Sequence, residues 1–519
     1  MREVPYASRV ASTVASPSKS QGSFFEAPFE HLGVRQFINC TGVRAINGNC
    51  RMLPEVEQAM AAAAHSFVNL DELMLQVGKR LGALTGAEWG IVTAGSAAAL
   101  ALAAAGCIAG NDPERMVRLP MHCGPAALVP GDQRFAYEQA LRLAGLTIRS
   151  VGSVTEVEMA LARHDVALIC INAMREARSH LPLKALVPVA QGAKVPVLVD
   201  AASVYPQNPD PWLARGADLV VYSGGKFLRG PPSTGLLLGR RELVEAAWLN
   251  GAPHQSFGRP MKIGKEEVVG ALAAVEHWFG SHDHAADERR WRADLAVVAA
   301  ELEEESGILT EVAEPVDLAR VPRLRVQWDT VRFSVHGLEL REWLLAGSPS
   351  VMLDEIRATS ASVVIDPYNF QPGEAQIVAR RMREELRRAC ARRGRAEEPI
   401  DGETPLLTGR WRLHLSFLHR RTDHEVVLGQ SGTEISGIHR ATMSEAALKG
   451  VAAGGEIRFT SSHPYEAANI AYTFVGRKIG DELTGVVTLG AATDGHWGPV
   501  FCSQFGKANW RAKRIGASP

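Results

Sequence analysis

The sequence predicts an α/β protein built on a mainly parallel sheet covered by helices, followed by a separate antiparallel β-domain. Short apolar runs at 166–171, 197–199 and 219–222 alternate with helical stretches, the rhythm of repeated βα units. Polar residues close these runs, at the carboxyl ends of strands where such sheets bind ligands. Beyond about residue 405 the pattern changes to short runs separated by glycine and polar turns, at 409–417, 425–428, 435–439, 454–460, 470–474, 483–489 and 508–512, which predicts a small barrel or sandwich.

The chain in order supplies the other elements. Helices are expected over 54–64 and 71–84, with His65 between them as a pocket-lining candidate or a helix-end residue bonded to backbone. A short strand then leads through Ala94 into Gly95, Ser96 and Ala97 and an alanine-rich helix, whose first amides have no intrahelical partner and suit an anion. Residues 116–119 read as a strand with His122 just past its end, 137–144 as a helix, 146–151 as a strand and 183–190 as a helix closed by Gly192. Two long helices are expected between 266 and 305, broken near Gly280, and then a small domain with strands at 324–328, 331–335, 351–356 and 362–365 and helices after Leu338 and over 372–387.

The stretch 217–235 carries the chemistry. Its apolar run ends in Ser223, Gly224 and Gly225, a tight turn that presents Lys226 between two core elements. Partial burial lowers a lysine's pKa and frees its amine to attack a carbonyl, although a lysine meeting a phosphate fits the same turn. Asp200 ends another buried run 26 residues earlier. An acid so placed keeps a pyridine nitrogen protonated and makes the ring an electron sink, which favours pyridoxal phosphate. Ser203 lies close enough to bond the ring or brace the acid, and Ser223 adds a hydroxyl for the phosphate beside Gly95, Ser96 and Ala97.

With its Ser-Gly-Gly-Lys segment, the Gly230-Pro231 turn and the Thr234-Gly235 run, the chain resembles the selenocysteine synthase and D-glucosaminate-6-phosphate ammonia-lyase branch of the aspartate-aminotransferase-like (fold type I) pyridoxal-phosphate enzymes, over about 33–386. The doubled proline, Pro231 and Pro232, departs from that pattern and stiffens the turn. The resemblance implies Lys226 as covalent anchor and proton-transfer base, with Asp200 as partner of the ring nitrogen. It also makes His122 a candidate for the ring face or a substrate contact, with a structural histidine as the alternative. Arg44 is a candidate for a substrate anion or a structural salt bridge, Arg229 for an anion contact or an anchor of the turn, Arg259 for a phosphate or substrate contact or for dimer packing, and Arg357 for the substrate's carboxylate. Arg259 and Lys262 are expected to reach a neighbouring subunit, since such enzymes commonly complete each site across a homodimer. By analogy the reaction is α-proton abstraction and β-elimination from a hydroxylated amino acid, releasing ammonia and a keto acid. Racemisation, aldol cleavage and a non-catalytic binding role stay open.

Domains are expected at 1–30 (an arm), 31–280 (the large cofactor-binding domain), 281–390 (the small domain), 391–404 (a linker) and 405–519 (the β-domain). A formal net charge of −1 gives no basic field for nucleic acid. Seven scattered cysteines, no apolar leader and an alanine-rich run too short for a bilayer lead to the expectation of a cytoplasmic protein with a small-molecule substrate and no membrane partner. His424, His439, His463 and His496 have no recognised ligand spacing, so no metal is expected.

Overall fold

A computed structural model describes residues 24, 26–315, 320–392, 405–465, 468–491 and 506–516. The chain groups into two compact units, Met1–Cys50 with Asp283–Val316 and Arg320–Gly394, and Arg51–His282 with Asp317–Ala319 and Arg395–Pro519. Most of the expected arm and nearly all of the linker lie outside the described residues.

In the first unit, Arg323–Trp328 is the centre of a three-stranded antiparallel sheet between Ile308–Ala313 and Ser362–Ile365. Leu324, Val326 and Trp328 alternate into a core closed by Leu295, Val298 and Leu302 of His284–Glu303 and by Val378, Met382 and Leu386 of Glu374–Arg392. Residues before Cys50 join this unit because Ile38–Asn39 pairs in parallel with Val351–Met352 and the Asp366 amide donates to the Cys40 carbonyl at 3.0 Å. The expected strand at 331–335 is a turn instead. Asp329 captures it, its side chain accepting from the Val331 amide at 2.8 Å and its carbonyl from the Phe333 amide at 2.8 Å.

The second unit contains a seven-stranded sheet in the order Trp89–Thr93, Gly235–Gly239, Leu219–Ser223, Val197–Asp200, Val166–Asn172, Ala126–Pro130, Thr147–Val151. Gly235–Gly239 runs antiparallel to both its neighbours and the rest are parallel. Central strands such as Val197–Asp200 are buried at every position, as a sheet covered on both faces requires. The helix Ser96–Ala109 packs on this sheet along its length, its alanines allowing close approach.

Two sequence expectations fail here for local reasons. Residues 116–119 are not a strand, because Asp112 caps the turn Pro113–Met116 by accepting from the Glu114 amide at 2.9 Å. Helix Leu183–Ala193 runs through Gly192 and closes at Lys194, which itself adopts the left-handed conformation at φ 55°.

The β-domain is a closed antiparallel barrel of eight strands: Gly409–Ser416, Arg421–Ser431, Glu434–Arg440, Glu445–Ala453, Glu456–Tyr465, Ala468–Ile479, Glu482–Ala491 and Lys507–Gly516. Closure comes from pairing of the last strand with the first, Leu413 opposite Ala512. Inward residues alternate along each strand, with Trp411, Leu413, Phe459, Phe474 and Trp510 at the core. Seven of these strands answer the sequence pattern. Glu445–Ala453 was not legible because its inward positions are mostly small, and only Leu448 and Ala452 are buried. Trp497 and Phe505, which the sequence suggests as core or edge packing beside Trp411 and Trp510, lie outside the described residues, as does His496.

Trp510 packs its ring edge-on against Phe474, with centroids 5.6 Å apart. Trp510→Ala is expected to lower the barrel's unfolding free energy by about 3–5 kcal/mol, read as earlier loss of hydrogen-exchange protection in barrel peptides during urea denaturation.

Candidate active site

Strand register brings one set of polar residues to a single edge of the large sheet. Asn172 stands opposite Asp200, Asp200 opposite Val221, and Ser223 and Thr93 both opposite Gly235. These are the carboxyl ends of the parallel strands, where side chains leave the hydrogen-bonded ladder and face a crevice.

Lys226 is set by the turn that follows. The Gly224 amide donates to the Thr234 carbonyl at 2.9 Å, and the Gly230 amide to the Gly224 carbonyl at 2.8 Å. The turn closes further where the Arg229 amide donates to the Lys226 carbonyl at 3.0 Å and the Thr234 hydroxyl to the Pro231 carbonyl at 2.7 Å. A Cβ on Gly225 would lie 2.4 Å from the Pro232 Cα, so the second glycine is a steric requirement of the doubled-proline turn. Within it Lys226 Nζ donates to Ser203 Oγ at 2.7 Å.

Asp200 is 8% exposed, and its Oδ1 accepts from the Ala202 amide at 3.0 Å. Burial raises its carboxyl above the ordinary range, against the Ala202 amide and the Lys226 charge, which favour the carboxylate. Lys226 is shifted the other way, its amine lowered below the ordinary lysine value by burial and partly restored by Asp200. The site therefore places a buried acid and an amine biased toward its neutral form in mutual electrostatic reach.

Beside them, Gly95 caps Ser96–Ala109 at φ 93° with no side-chain cap, which leaves the first helical amides facing outward. Gly235 fits against this cap so closely that a Cβ would lie 2.4 Å from the Gly95 carbonyl carbon and 2.5 Å from the Ser96 nitrogen. The uncapped helix start, Ser223 and the Asp200–Lys226 pair suit pyridoxal phosphate, with an amide cradle for its phosphate, an acid for its ring nitrogen and an amine for its aldehyde.

The remaining candidates are dispersed. His122 lies exposed on a turn ahead of Ala126–Pro130, beside Met121, which abuts Gly145 before the next strand. That is the amino-terminal edge, so within its own subunit the structure corrects its assignment to the ring face. Sequence reasoning missed Tyr137, which follows the carboxyl end of Ala126–Pro130 and feels the Asp200 charge. Its side chain is 52% exposed, and its phenol is raised by burial first and by Asp200 second, so it stays protonated. Assigning the strand at 126–130 rather than 116–119 is the signal that finds it.

Arg44 is held in its own unit, donating from Nη1 to Asp354 at 3.0 Å and from Nη2 to Glu355 at 2.7 Å. Arg357 bonds Asp354 at 2.9 Å. Arg44 thus has the structural ion pair weighed as its alternative, and Arg357 forms one as well. Arg229 anchors the turn, with Nε donating to the Arg51 carbonyl at 3.1 Å and its own carbonyl accepting from the Leu53 amide at 3.2 Å. His65 is an exposed helix C-cap whose amide donates to the Ala62 carbonyl at 3.3 Å, and Arg259 and Lys262 are exposed.

A family model for aminotransferase class-V matches residues 57–259. The chain is similar to a 5'-C-glycyluridine monooxygenase-decarboxylase from Streptomyces sp, 31% identical over 381 residues, covering 69% of this chain and 92% of that relative. It is also similar to D-glucosaminate-6-phosphate ammonia lyase from Salmonella typhimurium (strain 14028s / SGSC 2262), 29% identical over 368 residues, covering 69% and 97%. A solved structure of D-glucosaminate-6-phosphate ammonia-lyase superposes with a TM-score of 0.62 at 28% identity, over 70% of this chain and 98% of that one.

Because Gly235 has no room for a methyl group against Gly95 and Ser96, Gly235→Ala must displace the cradle backbone. An overpacking cost of about 1–3 kcal/mol predicts a weakening of pyridoxal-phosphate retention of roughly five- to 150-fold, measured as cofactor content after dialysis.

Proposed function

We propose that this protein is a pyridoxal-phosphate-dependent lyase, and the premise is its family: it belongs to the fold type I pyridoxal-phosphate enzymes, in the branch of D-glucosaminate-6-phosphate ammonia-lyase. The substrate is a small hydroxylated amino acid that loses its α-proton and β-hydroxyl. Water leaves in the elimination and water is taken up in hydrolysis, so the net products are a 2-keto acid and ammonia. The observation that carries this reading is the buried Lys226–Asp200 pair on adjoining strand ends.

When bound, pyridoxal phosphate supplies an electron sink that acidifies the substrate α-carbon. Asp200, held by the Ala202 amide, would face the ring nitrogen. Gly95, Ser96, Ala97 and Ser223 would hold the phosphate, and Ser203, which accepts from Lys226 Nζ, would stay beside that amine. Lys226 Nζ, as a free amine, takes the α-proton. Burial lowers its pKa, so a larger share of Nζ is neutral at a given pH and able to accept that proton. The same ammonium then protonates the departing β-hydroxyl, which leaves as water. Tyr137, whose phenol feels the Asp200 charge, is the candidate for the ring-face role that the resemblance suggests for His122. In a homodimer, the exposed Arg259 and Lys262 would reach the neighbouring subunit's site.

The monooxygenase-decarboxylase relative supports a second reading, in which the substrate loses its carboxylate as carbon dioxide with uptake of dioxygen. The two separate on products. With hydroxylated amino acids, the lyase releases ammonia and keto acid in equal amounts without dioxygen uptake. Dioxygen consumption matched by carbon dioxide release identifies the oxidative reaction.

Lys226→Ala is expected to reduce turnover by at least about 10²–10⁴-fold and to abolish covalent cofactor attachment, with the melting temperature retained. The acid limb of the pH–rate profile reports loss of the neutral amine as pH falls. It is expected below the ordinary lysine value of 10.5, because burial lowers Lys226. Stopped assays across pH check the position of that limb.

A further inference from the structure

Three histidines meet inside the barrel. His424, His439 and His463 come from Arg421–Ser431, Glu434–Arg440 and Glu456–Tyr465, and are 6%, 0% and 2% exposed. His424 Nδ1 lies 2.9 Å from His439 Nε2, and His463 Nε2 lies 2.9 Å from His439 Nδ1. Ser461 Oγ approaches His439 Nδ1 at 2.7 Å, and Ser444 Oγ approaches His463 Nδ1 at 2.9 Å. The Tyr472 ring packs edge-on against all three imidazoles, and Phe474 packs edge-on against His439. Asp423, beside His414 at 2.7 Å, is the anion whose charge reaches His424.

The hydrogen bonds close with all three rings neutral and admit at most one added proton. One consistent arrangement runs in a single direction: the Ser444 hydroxyl donates to His463 Nδ1, His463 Nε2–H to His439 Nδ1, and His439 Nε2–H to His424 Nδ1. Ser461 Oγ lies 2.7 Å from His439 Nδ1 and shares its single lone pair with His463 Nε2–H. One added proton is met if His463 turns to its Nδ1–H tautomer and donates to Ser444 Oγ, so that His439 donates from both ring nitrogens; a second added proton on the two inter-ring contacts sets one N–H against another.

The electrostatics follow this order. His439, in the middle, is lowered to about 2, first by burial and then by its two neighbours. His424 is lowered to about 4 by burial and by His463, against Asp423. His463 is lowered by burial alone. Among the described residues, no group of three or more His, Cys, Asp or Glu is arranged to hold a metal ion. In particular, His439 turns opposite ring nitrogens to its two partners, so one ion cannot collect all three rings as they stand.

We propose that this histidine layer is an acid-operated latch of the C-terminal barrel, which ties three strands together while all three rings are neutral and releases them when the rings are forced to take up protons. The sign is fixed. Groups that stay neutral in the closed barrel and titrate ordinarily in the open one stabilise closure fully above the ordinary histidine range, and that stability is lost as pH falls below it. Each histidine contributes up to about a tenfold fall in the closed-to-open ratio per pH unit below about 6.5. The proposal is independent of the lyase reading.

The test uses the full-length protein. Hydrogen-exchange mass spectrometry, corrected for intrinsic rates, compares peptides across 421–465 at about pH 7.5 and about pH 5, beside carbon-bound histidine C2–H exchange, which gives each ring's titration. Expected are a protection loss of at least tenfold in these strands at the lower pH, no titration of His439 while the barrel is closed, and a smaller acid loss in His439→Gln. His463→Asn serves as the second variant if His439→Gln does not fold. Equal protection at both pH values, an unchanged acid loss in a folded variant, or ordinary titration of all three histidines in a closed barrel overturns the proposal. So does a stoichiometric metal ion that substitution of these histidines removes.

Discussion

The turn from Ser223 to Gly235 is the constraint on which the candidate site depends. It begins at the end of one sheet strand and ends at the start of the next, so both ends are fixed by ladder pairing at Ser223 and Gly235. Its interior is closed by backbone hydrogen bonds and by glycine–proline contacts that leave no room for a Cβ at Gly225. A lysine on such a loop cannot trade its position for solvent. It is therefore desolvated beside Asp200, and this desolvation shifts both groups toward their neutral forms. The same closure seats Gly235 against Gly95, so one backbone arrangement sets both the amine and the uncapped helix start.

Much of this was legible in the sequence because the site sits where local signals are strong. Asp200 and Ser223 end uninterrupted apolar runs, and a covered parallel sheet makes such runs readable. Gly95 precedes a run of helix-forming alanines. The errors fall where a short-range cap overrides hydropathy. Val117 and Leu119 suggested a strand, but Asp112 and Pro113 start a helical turn there, and the misplaced strand carried His122 to the wrong edge and hid Tyr137. Arg44 illustrates a different limit. Its partners, Asp354 and Glu355, are about three hundred residues away, a pairing that no local pattern reveals.

The chain buries polar groups in two ways. In the large sheet, an acid and an amine are buried near one another, Asp200 accepting from the Ala202 amide and Lys226 donating to Ser203. In the barrel, three imidazoles and two hydroxyls satisfy one another, which favours a closed neutral layer and penalises charge. The first arrangement suits catalysis and the second suits conditional stability. Spacing along the sequence could not distinguish them, because the histidines lie on separate strands that only barrel closure brings together.

The central claim is that Lys226 carries the cofactor. Reduction of the pyridoxal-phosphate-loaded protein with borohydride, followed by proteolysis and peptide mass spectrometry, reads the attachment point directly. The account predicts one phosphopyridoxyl adduct, on the peptide containing Lys226. Finding the adduct on a different lysine, or none at all in protein that retains the cofactor, would contradict it.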